Sequence, residues 1–146
     1  MIALIQRVSS ASVEVENQCI ASINSGILLL LAVELDDTEE MAKKMAKKVC
    51  QLRIFSDKDG KMNLSLLEKQ AELLVVSQFT LAADLRSGNR PSFSLAASPE
   101  RAKQLYEFFV RHVSQHYLTC QHGQFAADMK VHLVNDGPVT FNLRVN

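Results

Sequence analysis

The chain has 146 residues, 47% of them apolar, which suits one compact domain over residues 1–146 that buries roughly two thirds of its unfolded surface. With 16 Lys and Arg against 16 Asp and Glu the formal net charge is zero, so no overall field draws the protein onto nucleic acid, and any RNA contact must come from a local cluster. The three cysteines, Cys19, Cys50 and Cys120, are too far apart for a disulfide framework or a Cys-based zinc site, and they fit a reducing cytoplasm.

Ile2 to Val8 starts extended, and Ser12-Val13-Glu14-Val15-Glu16 alternates apolar and charged residues as a half-exposed strand does. Asn17-Gln18 is the expected turn. Ile27 to Val33 is a second apolar strand, far short of the roughly 18 residues that span a bilayer; the first residues also lack a signal-peptide pattern. A soluble protein without membrane contact is expected. Asp36-Asp37-Thr38 offers helix-capping chemistry, and Glu39 with Lys43 and Glu40 with Lys44 stand at i,i+4. The helix is predicted to reach about Leu52 and to cover the sheet with Met41, Ala42, Met45, Ala46, Val49 and Leu52. Lys43, Lys44, Lys47 and Lys48 form either its solvated face or an RNA-facing one.

Ser56-Asp57-Lys58-Asp59-Gly60 is a turn. Its Asp-x-Asp-Gly fragment lacks the later ligands of a calcium loop, so no calcium site is expected there. Glu72 to Leu81 begins as a strand apolar on both faces, the mark of a central position, and ends in Ser77, Gln78 and Thr80, polar groups that either cap the strand end or face a ligand. Ala82 to Ala97 is aperiodic and carries Arg86 and Arg90, a long loop beside that strand end. Ser98-Pro99-Glu100 opens a helix predicted to reach about Tyr117, with Ala102, Leu105, Tyr106, Phe109 and Val113 in its core stripe. His112 and His116 on that helix have the spacing of a metal-binding pair but no third ligand nearby, and no metal site is expected. Gln124 to Val134 alternates as another strand, with His132 on its polar face. Asn135-Asp136-Gly137-Pro138 then reads as a turn into a last strand, Val139 to Val145. The expected architecture is a single α/β domain, mainly an antiparallel sheet or open barrel, with two helices packed outside.

The chain carries neither a Gly-rich phosphate loop nor a triad signature around Ser77 or Thr80. Acyl transfer without a cofactor is still open to it, because free backbone N–H groups at a strand end can stabilise an oxyanion.

Ser77-Gln78-Phe79-Thr80-Leu81, taken with Asn135-Asp136-Gly137-Pro138-Val139-Thr140, resembles the two motifs of the D-aminoacyl-tRNA deacylase family. The likeness extends over essentially the whole chain: Gln6-Arg7-Val8, Arg53-Ile54-Phe55, Gly60 to Ser65 and Arg90-Pro91-Ser92-Phe93 follow in the family's order. It departs at Ala32, where the family usually has Gly, and at Asp84-Leu85-Arg86, where members vary. The resemblance implies hydrolysis of the ester that joins a D-amino acid, or glycine mischarged on alanine tRNA, to the 3′ end of tRNA, as chiral proofreading in translation. It implies a two-fold homodimer, Ser77, Gln78, Phe79 and Thr80 as the catalytic strand end, and a cis Gly137-Pro138 held by Arg7 and inserted into the partner's pocket to reject L-amino acids. Arg86, Arg90 and Lys61 are the expected phosphate contacts. Aminoacylated tRNA is the expected partner, with no DNA, no metal and no nucleotide cofactor. Either backbone amides with the ribose 2′-hydroxyl or the Thr80 hydroxyl carries the chemistry. The competing readings are a non-catalytic module that binds tRNA ends or amino acids, and a general esterase.

Overall fold

The computed structural model describes all 146 residues. Strand β1, Ile2–Val15, is long enough at 14 residues to serve three partners. Its N-terminal half pairs antiparallel with β3, Gly26–Ala32, and its C-terminal half with β2, Gln18–Ile23. Along its other edge β1 pairs antiparallel with β8, Lys130–Arg144. The β1–β2 turn falls one residue earlier than expected, at Glu16 and Asn17, whose φ of 51° and 63° match the mirror-image turns that suit hairpins.

The sheet is mainly antiparallel, as expected, through the three partners of β1, and becomes mixed at β6. β6, Glu72–Ser77, lies parallel to β3 on one side and to the two-residue β7, Gln121–His122, on the other. Parallel neighbours need long crossovers. The first contains α1, Glu39–Gln51, the small hairpin of β4, Phe55–Ser56, and β5, Met62–Leu64, and α2, Leu66–Lys69. The second contains α3, Pro99–His116. Of the three helices only α1 and α3 were predicted. The single-turn α2 is held by a capping box in which Ser65 Oγ accepts from Glu68 N and Glu68 accepts from Ser65 N. With β2 curling toward β6 and β7 the sheet is nearly closed.

Leu73, Leu74, Val75 and Val76 are all buried, as a central strand requires. Leu73 and Val75 join Ile27, Leu29 and Leu31 beneath Met45 and Val49 of α1 and Leu105, Phe109 and Val113 of α3. Leu74 and Val76 face the opposite side, with Val8, Val13, Ile23 and Leu28. Gly26 makes the β3–β6 approach possible: a Cβ there would lie 2.0 Å from Glu72 O. Thr38 caps α1, its hydroxyl accepting from Met41 N at 3.4 Å, while Lys43 pairs with Glu40 rather than Glu39.

Two expected elements differ. Gln124 to Met129 is not part of a strand, because Ala126 adopts φ 61° and the segment leaves the sheet; its alternation reflects one-sided burial of Phe125, Ala127 and Met129. Gly137-Pro138 does not reverse the chain. β8 runs through it as one bent strand, whose register against β1 shifts between Gln6 and Val8 and again between Val8 and Ser10. A proline without an N–H fits where the ladder is interrupted.

Burial pushes the Cys50 thiol up to about 12 from an ordinary 9.0, and burial also raises Cys120 and Tyr106. These groups stay protonated in the folded chain while the unfolded chain ionises, so their contribution is complete below about pH 9 and is lost as the pH rises. Urea unfolding between pH 8 and 11 should show stability falling through this range, with a shallower fall in Cys50→Ala; a flat profile would contradict the burial argument.

Candidate active site at the end of the central strand

Ser77 is the last residue of β6 and pairs with Leu31; one residue later, Gln78 N donates to Leu31 O at 2.8 Å. The chain then turns through a short 3₁₀ helix, Phe79–Ala82. Its bonds begin with Leu81 N to Gln78 O and Ala83 N to Thr80 O. The N–H groups of Phe79 and Thr80 at its open start therefore have no backbone acceptor within the turn. Gln78 Nε2 donates to Thr80 Oγ1 at 2.6 Å, so the only side chain bonded to this hydroxyl is an amide, not a base. Phe79 is 55% exposed, an unusual position for such a ring, and lies 4.9 Å from the Phe93 ring of the following loop.

Behind this strand end is a cavity of about 520 Å³, into which Ser77, Gln78 and Phe79 face but Thr80 does not. Tyr106 of α3 and the segment around Phe125 and Met129 close its far side. The Tyr106 hydroxyl donates to Val75 O at 2.9 Å, fixing α3 against β6. A Cβ at Gly123 would lie 2.7 Å from Met129 Sδ, so that glycine makes room for the Met129 wall. Sequence reasoning placed Tyr106 in the core and missed it, with Phe125 and Met129, as cavity residues; the Gly123 that starts the departure from the sheet was the available signal.

Gly137-Pro138 is a cis peptide. Gly137 has φ +133°, a region that favours glycine, and a Cβ there would lie 2.8 Å from Val139 Cγ2, 3.0 Å from Val139 N and 3.2 Å from Arg7 Nη2. Arg7 ties this bend to the body: Nε donates to Asp136 O at 3.0 Å and Nη1 to Ile54 O at 2.6 Å. The bend is not beside the strand end of its own chain. It lies three strands away and about four residues along, roughly 20 Å in all at ordinary strand spacings.

A family model described as D-Tyr-tRNA(Tyr) deacylase matches residues 4–144. The chain belongs to this family. A Shewanella sp. (strain MR-4) protein called D-aminoacyl-tRNA deacylase is 60% identical over 99% of this chain and 100% of its own length. One of the same name from Pseudoalteromonas atlantica (strain T6c / ATCC BAA-1087) is 58% identical over the same shares. Among solved structures, one titled c-Myc DNA Unwinding Element Binding Protein superposes with a TM-score of 0.96 at 41% identity, covering 100% of this chain and 99% of the other. A probable eukaryotic D-amino acid tRNA deacylase shares the fold, with a TM-score of 0.82 at 16% identity over 97% of this chain and 98% of that one.

The charged groups expected around the site of this deacylase family member lie on two segments, the loop after the strand end and the β4–β5 hairpin. Arg86 is committed to Asp84, donating through Nε and Nη2 at 2.9 and 2.7 Å, and these bonds hold the Asp84 carboxyl down at about 2. Arg90 is exposed on the same loop, and Lys61 is exposed in the β4–β5 hairpin, where Lys61 N donates to Asp57 Oδ1. The rings of His112 and His116 lie 4.4 Å apart, but the fold brings together no group of three His, Cys, Asp or Glu that could hold a metal.

Proposed function

We propose that ester cleavage takes place at the Ser77–Thr80 strand end, in a pocket completed by Gly137-Pro138 of a second copy of the chain. The protein is a D-aminoacyl-tRNA deacylase, a hydrolase. The observation that carries the reading of its site is the open start of the 3₁₀ turn, where the Phe79 and Thr80 N–H groups are free to receive the oxyanion of an attacked ester. Such donors contribute about 3 to 4 kcal/mol each to the transition state in hydrolases. The tRNA 2′-hydroxyl acts as the assisting group, Gln78 orients Thr80, and no metal or nucleotide takes part.

The separation of the two motifs within one chain supports a two-fold dimer: each subunit lends its bend to its partner's strand end. Rigid Gly137 and Pro138 carbonyls filling the space an L side chain needs would reject every L residue whatever its chemistry, and rejection separates substrates more strongly than apolar fit, which is worth only about 1 to 3 kcal/mol. Glycine offers nothing to reject, so glycyl-tRNA, including glycine mischarged on alanine tRNA, is a side substrate. Arg86, Arg90 and Lys61 meet tRNA phosphates at the pocket mouth, Arg86 by exchanging its Asp84 partner for phosphate. RNA rather than DNA is the partner, and the free thiols fit work in the cytoplasm.

Thr80→Ala tests the chemistry. The variant should keep kcat on D-tyrosyl-tRNA within about ten-fold of the parent, since backbone amides cost about a hundred-fold or more when lost and this substitution leaves them in place. A folded, tRNA-binding Thr80→Ala protein without turnover would make the hydroxyl the nucleophile instead.

A further inference from the structure

The strongest uncommitted charge on the molecule is on α1. Lys44, Lys47 and Lys48 are exposed on its outer face, and none has a carboxylate within ion-pair distance, although Lys43 beside them pairs with Glu40. They share a depression of about 480 Å³ with Gln51, Arg144, Val145 and Asn146. On a chain with zero formal charge this is a local excess of one sign. Ordinary solvated helix faces mix their charges, as the Lys103–Glu107 pair does on α3.

Its position is what gives the patch a use. Arg144 pairs in register with Ile2, Ile2 with Ala32, and the neighbouring Leu31 with Ser77. The basic depression and the strand end therefore occupy one end of the sheet, three strand spacings apart, about 14 Å. Glu34 joins them: it binds Arg144 and bridges to Ala96 at the end of the loop that carries Phe93. Lys44 and Lys48 are one turn apart, about 6 Å along the helix axis. That span faces about one to two successive phosphates of one strand of a duplex.

We propose that Lys44, Lys47 and Lys48 hold backbone phosphates of the tRNA acceptor stem while its 3′ end occupies the Ser77–Thr80 site. This rests on the deacylase reading above and adds a contact surface to it. The patch positions the stem and reads no bases, so it favours no tRNA sequence.

The test is the triple variant Lys44→Gln, Lys47→Gln, Lys48→Gln, which keeps good helix formers at exposed positions. Binding of uncharged tRNA, followed across a salt series, should weaken about ten- to a hundred-fold near 0.1 M salt, and the slope of log affinity against log salt should fall by about 1 to 2. Cleavage of 3′-O-D-tyrosyl-adenosine, which has no stem, should match the parent. A second variant with the three lysines changed to Glu should weaken tRNA binding further. Unchanged binding and salt slope would overturn the proposal, as would an equal loss on the stemless ester, since that would place the effect in the fold. Absence of cleavage by the parent protein would count against the deacylase reading alone, because the uncharged-tRNA binding series still decides the patch.

Discussion

Gly137→Ala is expected to lower kcat/KM for D-tyrosyl-tRNA by about a hundred-fold, the usual cost of displacing a positioning group by about an ångström. The added methyl meets Val139 on two sides and the Arg7 guanidinium on a third, at a φ of +133° that alanine rarely adopts. The bend must move, and Arg7, which anchors it through Asp136 O and Ile54 O, moves with it. The loss should fall on the chemistry and on discrimination against L-tyrosyl-tRNA, with the unfolding midpoint changed much less, because the bend is exposed and outside the core. A variant with parental kinetics on both substrates would remove the bend from the site.

The largest stability effect is expected at Asp37. Its carboxylate is buried at 5% exposure and accepts from the Met1 amino group at 2.5 Å and from Glu34 N at 2.7 Å. The amino group is itself buried, and its other partners are Glu34 Oε2 at 3.1 Å and Val145 O at 2.9 Å. Removing one side of a buried pair typically costs about 3 to 5 kcal/mol, and here the loss falls toward the lower figure because Glu34 Oε2 still pairs with the amino group. Asp37→Ala should lose that much in urea unfolding, and Asp37→Asn, which keeps an acceptor for Glu34 N, should lose less. A loss under about 1 kcal/mol would place this pair with surface ion pairs.

Asp37 also marks where sequence reasoning stops. Asp36-Asp37-Thr38 announced a helix start, and Thr38 does cap α1, but Asp37 turns inward to an amino group 36 positions away, a contact no local pattern encodes. Local physics made α1, α3 and β6 legible: caps, a 3.6-residue stripe and a run of residues apolar on both faces. The same physics failed at Phe125 to Met129, where one-sided burial over a cavity imitates strand alternation, and at Gly137-Pro138, where turn chemistry serves a bend inside one long strand. In the site, the strand end was visible as polar residues closing an apolar run. The Tyr106 and Met129 walls were not, because the β6–β7 crossover brings Tyr106 to β6 and the irregular segment after β7 brings Met129 there.

The central claim is that one strand end cleaves D-aminoacyl esters of tRNA and that L-esters are kept out. Release of tyrosine from D-tyrosyl-tRNA and from L-tyrosyl-tRNA, measured with the same purified protein, tests it most directly. Rapid release from the D-ester with none above background from the L-ester is the expected result. Equal release from both would make the protein a general esterase, and release from neither would make it a binding module; either would contradict the account.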